Sequence, residues 1–246
     1  NEGQIQGRLG STAKGIGAAR SDRIWRQAKL WGEFNVFGQF SPTYGTTVDT
    51  VSWLREHLAI NPSNHAVIEG TQGFGLGLHA GFYPKCTSSD CRAVDFAAMA
   101  GVTPWTDASE TDVWVTLRTF PIRVAGNSGP LHHEIDWATL STETNGYIGE
   151  ERTTVTKKVR RVGRWDPVLA REAVAANGGP SCKVALTFFD YWYPELAGAT
   201  TEVALKDAHW SRIEQIESEI GAKVHYLGTG PGDGIVINGF ALPARP

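Results

Sequence analysis

The chain has 246 residues, of which 41% are hydrophobic and 20% are charged, and its formal net charge is −3. That length and apolar content suffice to bury a hydrophobic core, and we expect one domain over residues 1–246. The slight negative charge disfavours a protein that coats nucleic acid, because non-specific binding to phosphates needs a cationic surface. The longest apolar stretches are too short to cross a bilayer, and no signal-peptide pattern is expected at the first residues.

Three cysteines, Cys86, Cys91 and Cys182, cannot all pair with one another. Cys86 and Cys91 could be metal ligands, but no second Cys or His pair stands at zinc spacing. We therefore predict reduced thiols and no protein-held metal, and reduced thiols favour a cytoplasmic location.

Apolar periodicity predicts five helices, at residues 18–31, 48–58, 94–99, 167–176 and 206–220. For the fourth, Asp166 supplies an N-cap acceptor and Pro167 suits the first helical position. Shorter apolar runs predict strands at residues 65–69, 113–119, 183–189 and 223–227. This alternation predicts an α/β fold with a mostly parallel central sheet and helices on both faces. The long glycine-rich loops between elements are where such sheets hold ligands.

Two of these loops lie in the first part of the chain. Residues 9–17 combine glycines with the hydroxyls of Ser11 and Thr12, which can bind an anion or simply form a flexible loop. The loop after residues 65–69 contains Gln72, whose amide suits a purine edge, and a row of hydroxyls that begins at Thr87 and suits a phosphate. Its glycines miss the dinucleotide-binding spacing, and a solvated turn is the alternative.

Two further loops lie in the second half of the chain. Residues 153–164 carry five cations among hydroxyls, which suits carboxylates and phosphates but is also typical of a solvated face. The apolar run at residues 183–189 is followed by Asp190, which can accept N–H bonds from a guanine edge or cap the next helix. The last predicted strand is followed by Gly228, Thr229 and Gly230.

In chain order, these loops resemble the motifs of adenylosuccinate synthetases. Residues 10–17 are similar to G-T-T-G-R-G-I-G, residues 69–73 to E-G-A-Q-G, and residues 123–130 to a lengthened R-V-G-x-G-P. Residues 155–166 are similar to T-T-G-R-x-R-R-x-G-W-L-D, residues 186–190 to L-T-K-L-D, and residues 228–231 to S-x-G-P. The resemblance extends from about residue 9 to residue 231. It depends on the order of six motifs and not on any one of them.

The resemblance implies a P-loop NTPase-like adenylosuccinate synthetase fold that is incomplete at its N-terminus. The family's W-G-D-E-G-K-G-K loop, which supplies the catalytic aspartate, and the histidine that follows it are absent from this sequence. We therefore expect the catalytic residues in a preceding segment, and we expect the chain by itself to bind but not to catalyse.

The implied activity is that of a carbon–nitrogen ligase in purine nucleotide biosynthesis. Such enzymes transfer the γ-phosphoryl group of a triphosphate to the purine 6-oxygen, and the amine of L-aspartate then displaces phosphate, with Mg²⁺ required. The resemblance also implies ATP, dATP or GTP as co-substrate, and a homodimer in which Arg26 reaches the phosphate bound by the partner subunit.

The resemblance assigns a role to each matched residue. The purine monophosphate would be bound by Ser11, Thr12, Arg26, Gln72, Thr87, Val124 and Lys158. L-Aspartate would be bound by Thr154, Val155, Thr156, Lys158 and Arg160. The triphosphate would be bound by Arg160, Phe188, Asp190, Gly228, Thr229 and Gly230.

Two departures from the family pattern bear on the substrates. Lys158 stands where the family has an arginine near the ribose, and Phe188 stands where it has a lysine beside the triphosphate base. Together with the short length of the chain, these departures favour the archaeal and bacteriophage (2-aminodeoxyadenylosuccinate synthetase) branches. They also favour dGMP over IMP as the acceptor and tolerance of adenine triphosphates.

Two alternatives stay open: a non-catalytic nucleotide-binding module, and an interaction protein that uses the basic residues 157–164.

Overall fold

The computed structural model describes residues 14–29, 49–61, 63–103, 111–146 and 148–237. The chain divides into two compact units, Asn1–Thr111 and Asp112–Pro246. The expected single domain over residues 1–246 stays a prediction.

Three helices are described in the first unit: α1 (Ile16–Ile24), α2 (Thr50–Ile60) and α3 (Ala93–Met99). Helix α2 begins where the carboxylate of Asp49 accepts the N–H groups of Val51 and Ser52, at 3.1 and 3.3 Å. Arg55 on α2 donates through Nε to the carbonyl of Gly101, just beyond α3, at 3.1 Å. The helices predicted at 48–58 and 94–99 are confirmed, with ends shifted by one or two residues.

Helix α1 is shorter than the predicted 18–31. It ends at Ile24, and Arg26 lies in the left-handed region with φ 59°. The N–H groups of Gln27 and Ala28 both reach the carbonyl of Asp22, at 2.8 and 3.2 Å, which closes the last turn. Arg26 therefore lies in a turn and not on a helix, and residues 30 and 31 lie outside the described part of the chain.

The strand predicted at residues 65–69 is wrong. These residues have no regular secondary structure, and Val67 is 90% exposed. A strand needs a neighbour to accept its backbone hydrogen bonds. None of the described segments pairs with this run, so its apolar side chains alone do not make it a strand.

The described part of the second unit contains seven strands, three α-helices and four short 3₁₀ turns. The strands are β1 (Trp114–Arg118), β2 (Ile122–Arg123), β3 (Glu134–Ile135), β4 (Arg161–Gly163), β5 (Lys183–Thr187), β6 (Val224–Leu227) and β7 (Ile235–Val236). The helices are α4 (Trp137–Glu143), α5 (Pro167–Ala176) and α6 (Asp207–Ile220).

The central sheet has the strand order β1-β5-β6-β7. The first three strands are parallel, and β7 is antiparallel to β6. Arg118 is in register with Thr187, and Leu186 with Leu227. The residues that follow these three strands therefore lie on one side of the sheet, beyond the carboxyl ends of the strands, where parallel sheets hold ligands.

Helices α5 and α6 pack against each other and against this sheet. The buried residues of α6 recur at helical spacing, so one face of the helix is apolar. Gly221 ends α6 with φ 73°, a conformation that favours glycine. The main core contains side chains from both helices and from the three parallel strands, including Val115, Val174, Leu186, Ile213, Ile216 and Val224.

A second, antiparallel sheet has the order β2-β4-β3. Its side of the unit contains a smaller core of Phe120, Leu140, Ile148 and Val162. These strands and α4 were not predicted, because strands of two or three residues are too short to show an alternating pattern. The predicted strands of the central sheet are confirmed, with ends shifted by one or two residues.

Within the described part of the chain, no helix has the length and apolar character needed to cross a membrane.

The N-cap of α5 yields a stability prediction. The carboxylate of Asp166 is buried and accepts the N–H groups of Val168 and Leu169, at 3.1 and 3.0 Å. Asp166→Ala should lower the free energy of unfolding by about 1 kcal/mol, because two backbone donors lose their acceptor. Urea unfolding followed by circular dichroism measures this, with the exposed Glu172→Ala on the same helix as control. Equal midpoints for the two variants would contradict the capping role.

Candidate functional site

Five predicted site residues lie in the first unit, and three of them are among the described residues. Arg26 is exposed, and its Nη1 donates to the carbonyl of Ile24 at 3.1 Å. Gln72 is exposed and left-handed, with φ 71°. Thr87 is half-buried. The predicted phosphate contacts Ser11 and Thr12 belong to the part of the chain that is not described.

The loop that contains Thr87 is held by its own backbone. The N–H of Thr87 donates to the carbonyl of Leu76 at 2.8 Å, and the N–H of Leu78 donates to that of Ser89 at 3.1 Å. Gly81 lies so close to the backbone of Gly77 that a Cβ on Gly81 would be 2.4 Å from the carbonyl oxygen of Gly77. The hydroxyl row that begins at Thr87 is therefore positioned by a compact loop.

Asp90 fixes the same loop through its carboxylate. Its Oδ1 accepts the N–H groups of His79 and Ala80, at 2.9 and 3.3 Å, and its Oδ2 lies 2.5 Å from Nδ1 of His79. The His79 side chain, followed by its backbone N–H, lowers the pKa of Asp90 to about 2. The carboxylate is therefore ionised well below neutral pH.

In the second unit, the loop after β5 and the loop after β6 are joined by backbone hydrogen bonds, and together we call them the strand-end group. The N–H of Phe189 donates to the carbonyl of Gly228 at 2.9 Å, and the N–H of Gly228 donates to that of Leu186 at 2.8 Å. A Cβ on Gly228 would lie 3.2 Å from Cα of Thr187, so a larger residue would push the loops apart. The predicted triphosphate residues Phe188, Asp190, Gly228, Thr229 and Gly230 are thus brought together at the strand ends.

Thr229 and Asp190 are both buried in this group. Thr229 donates its hydroxyl to the carbonyl of Ala199 at 2.7 Å and is fully buried, so its side chain supports the loop. Asp190 lies within the 3₁₀ turn Phe189–Tyr191 and does not cap a helix. Its exposure is only 3%, so a purine edge could bond to its carboxylate only after a local rearrangement.

The ring of Phe188 has one face covered. The guanidinium of Arg118 lies over the ring, with its carbon 3.7 Å from the ring centroid. The ring of Tyr191 stands edge-on to Phe188, with the two centroids 4.9 Å apart. Stacking of a base on Phe188 is therefore limited to the face opposite Arg118.

The predicted aspartate residues form a hairpin. Its arms pair at Arg152 and Val159, and Lys158 donates its N–H to Oγ1 of Thr153 at 3.1 Å. The tip residues Thr154, Val155 and Thr156 are exposed. Lys157 stands at the family's glycine position and has φ 56°, in the left-handed region. The tip hydroxyls and the Lys158 amine are thus presented to solvent at the end of an ordered turn.

Arg160 lies at the base of the hairpin and is half-buried. Its N–H donates to the carbonyl of Glu151 at 2.8 Å, and its carbonyl accepts the indole N–H of Trp137 at 2.7 Å. Its Nε is buried and has no hydrogen-bond partner among the described residues. Beside it is a surface cavity of about 510 Å³, lined in part by Gly126, Trp137, Glu150, Val159 and Arg160.

Val124 stands at the start of the loop between β2 and β3. Arg161 holds this loop through the carbonyl of Gly129, at 2.7 Å, and is itself bound to Glu134 by two bonds of 2.7 and 2.6 Å. The Glu134 carboxylate raises the pKa of Arg161, whereas burial and the nearby Arg161 charge lower the pKa of Arg123. The loop of Val124 is thus attached to the residue that follows Arg160.

Three residues that hold this site together were not predicted from the sequence: Arg118, Glu151 and Trp137. Arg118 donates through Nη2 to Oε1 of Glu151 at 2.5 Å, and this bond joins the Phe188 group to the hairpin. Arg118 lies within the strand predicted at residues 113–119 and ends β1, and the rule that ligands bind beyond parallel strand ends could have found it. No sequence pattern of this kind marks Glu151 or Trp137 as part of a site.

All three cysteines carry free thiols, and burial raises their pKa values. No three His, Cys, Asp or Glu side chains of the described residues come together to hold a metal ion.

The family model for adenylosuccinate synthetase matches residues 35–191. The chain belongs to the adenylosuccinate synthetase family. It is 31% identical over 231 residues to the enzyme of Pyrococcus sp. (strain ST700), covering 94% of this chain and 62% of that protein. It is 33% identical over 223 residues to that of Methanococcus aeolicus, covering 91% and 61%. The chain thus spans about three fifths of the length of these relatives.

Two solved structures are similar to this one. The cyanophage S-2L succinoaminodeoxyadenylate synthetase PurZ, bound to dGMP and to dATP as an energy donor, has a TM-score of 0.69 and 30% identity, with 94% of this chain and 62% of that chain covered. The fully ligated adenylosuccinate synthetase of Plasmodium falciparum has a TM-score of 0.73 at 18% identity, with 93% and 70% covered. The predicted α/β fold, with a mostly parallel central sheet of the adenylosuccinate synthetase type, is confirmed.

The lowered pKa of Asp90 yields a pH prediction. A carboxylate with a depressed pKa stabilises the folded loop above its ordinary pKa, near 3.8, and this stabilisation is lost as the pH falls through about 2. Asp90→Asn should therefore reduce the hydrogen-exchange protection of the His79 and Ala80 amides at pH 7, and less so below about pH 3. The exposed Glu69→Gln, which removes the same charge, is the control. If the loss of amide protection in Asp90→Asn were the same at all pH values, the ionised Asp90 carboxylate would not be what stabilises the loop.

Proposed function

We propose that the complete protein ligates L-aspartate to C6 of a purine nucleoside 5′-monophosphate, using a nucleoside triphosphate through a 6-phosphoryl intermediate. Family membership supports the reaction class. The observation that carries the proposal for this chain is the buried Nε of Arg160, which has no partner among the described residues. A buried guanidinium donor in this state is costly unless an anionic ligand completes it.

The hairpin suits recognition of a small dicarboxylate. The hydroxyls of Thr154 and Thr156 can donate to a carboxylate, and Lys158 adds a positive charge at the same exposed tip. Arg160, at the hairpin base, can neutralise charge between the aspartate and the triphosphate. These groups act by positioning and by electrostatic stabilisation, which is what phosphoryl transfer requires of a protein.

The strand-end group suits the base of the triphosphate. Phe188 offers the face opposite Arg118 as a stacking surface, and stacking does not distinguish adenine from guanine. Asp190, once accessible, can accept N–H groups from either base. Gly228 allows its loop to lie close against Thr187, at the end of the strand that precedes Phe188. We therefore propose that ATP, dATP and GTP can all serve as donors.

For the acceptor we propose dGMP over IMP. The archaeal and cyanophage relatives have nearly equal identities to this chain, so the choice depends on individual residues. Lys158 replaces the arginine fork expected near the ribose, and a deoxyribose lacks the 2′-hydroxyl that such a fork can bind. The cyanophage relative, bound to dGMP and dATP, supports the same choice and a bacteriophage-type branch.

The proposal for the complete protein includes Mg²⁺, catalytic residues supplied from outside this sequence, and a homodimer. Monophosphate binding would use Ser11, Thr12, Gln72, Thr87 and Val124. In the homodimer the exposed Arg26 would contact the phosphate held by the partner subunit. A cytoplasmic location, that of the host for a bacteriophage protein, is part of the proposal and is supported by the free thiols.

The first test compares two neighbouring arginines. Arg160→Leu, in the protein expressed from its complete open reading frame, should lower turnover at least about tenfold, or roughly 1.4 kcal/mol of barrier. Arg164→Leu, which removes an exposed residue paired with Glu143, should have a much smaller effect. Aspartate-dependent phosphate release measures both. Equal losses of turnover in the two variants would indicate a diffuse charged surface and would count against a specific site at Arg160.

The second test is competition between ATP and GTP, with dGMP and IMP each as acceptor. Because Phe188 stacks on either purine, adenine triphosphates should be used at least as well as GTP. A preference for GTP above about a hundredfold, near 2.7 kcal/mol, would contradict this. Tight nucleotide binding without phosphate release under any pairing would favour the non-catalytic module.

A further inference from the structure

One guanidinium connects three segments of the second unit. Arg118, at the end of β1, donates through Nε to the carbonyl of Phe120 at 3.2 Å and through Nη2 to Oε1 of Glu151 at 2.5 Å. The same guanidinium lies over the Phe188 ring at 3.7 Å. The side chains of Arg118 and Glu151 are each only 23% exposed, so solvent screens their contact weakly. Arg118 is absent from every role that the family motifs assign.

The backbone explains why Arg118 and Phe188 meet. Strands β1 and β5 are parallel neighbours with Arg118 opposite Thr187, so Phe188 is the next residue beyond the paired position. Oγ1 of Thr119 donates to the carbonyl of Phe188 at 2.7 Å, and Phe188 has φ 62°. These contacts fix the direction of the Phe188 side chain, which places its ring under the guanidinium.

The other end of this connection is the hairpin. Glu151 precedes the paired residue Arg152, and its carbonyl accepts the N–H of Arg160 at 2.8 Å. The side chain of Glu151 is therefore bound to Arg118 while its backbone is bound to Arg160. A displacement of Phe188 or Arg118 can therefore reach the hairpin through Glu151.

We propose that Arg118 is a positioning residue that couples the base of the triphosphate to the aspartate hairpin. This role rests on the proposed function. A base stacked on Phe188 restrains the ring, which holds Arg118 and Glu151 in place and orders the arm that carries Arg160. By linkage, bound aspartate strengthens triphosphate binding by the same factor.

The chemistry requires arginine at this position. A planar guanidinium can stack on a ring with its face while its edge donates to a carboxylate. A lysine ammonium has no such plane, so it could keep the Glu151 contact or the Phe188 contact but not both with good geometry. Arg118→Lys therefore tests the coupling while preserving the charge, and Arg118→Gln removes the charge as well.

The experiment uses the protein from its complete open reading frame. The Michaelis constant for aspartate and kcat are measured at low and at saturating ATP for the parent, Arg118→Lys, Arg118→Gln, Glu151→Gln and the Arg118→Gln/Glu151→Gln double variant. We expect each single variant to raise the Michaelis constant for aspartate at least about fivefold at saturating ATP, the lower limit of ordinary coupling between sites. Turnover at saturating aspartate should stay within about twofold of the parent. The double variant should be no more than about twofold worse than either single variant, because the two residues act through one contact.

Arg164→Gln is the matched control, since Arg164 also pairs with a glutamate in this unit but contacts neither Phe188 nor the hairpin. Melting temperatures are measured for all variants. A lowered melting temperature with an unchanged Michaelis constant for aspartate would show a structural contact only and would overturn the proposal. Additive losses in the double variant, or losses equal to those of Arg164→Gln, would also overturn it. A parent without aspartate-dependent phosphate release would overturn the proposed function, and this role with it, whereas an active parent with unaffected variants would overturn this role alone.

Discussion

Parallel pairing of β1, β5 and β6 is the constraint on which the second unit depends. Parallel neighbours must run in the same direction, so the chain returns across the sheet before each new strand, and helices α5 and α6 lie in these returns. The carboxyl ends of these three strands then lie on the same side of the sheet. This arrangement brings Arg118, Phe188 and Gly228, which are far apart in the chain, close together. The burial of the strands in the main core keeps this side of the sheet rigid.

The arginines of the second unit differ in whether they pair with a carboxylate. Of the arginines near the hairpin, Arg118, Arg152, Arg161 and Arg164 each pair with a glutamate, and these pairs hold loops in position. Pairs as exposed as Arg152 and Arg164 contribute little to stability, so their effect is mainly geometric. Arg160 has no such carboxylate among the described residues, although it stands in the same run of cations. Within the basic segment at residues 157–164, Arg161 and Arg164 therefore hold loops in position, and Arg160 is the arginine for which we propose a ligand.

The sequence predicted the elements whose patterns are local and long. Helix α5 was placed with both of its ends, because Asp166 and Pro167 mark its start and apolar spacing marks its length. The run at residues 65–69 failed because pairing, and not composition, makes a strand. The motif loops of the second unit were found by residue type, and the structure brings Phe188, Asp190 and Gly228 together. The connection through Arg118 and Glu151 could not be predicted, because it depends on the register between two strands about seventy residues apart.

Lys157 stands where the family motif T-T-G-R-x-R-R-x-G-W-L-D has glycine, and this substitution affects the backbone of the hairpin tip. A non-glycine residue at φ 56° carries a conformational cost of about 1–2 kcal/mol. If the tip opened, Lys157 could return to negative φ and recover this free energy, whereas glycine would recover none. The bent form is therefore expected to be less favoured than it would be with glycine at this position. Between binding events the tip of the hairpin should open more readily, and a bound ligand would restore the bent form.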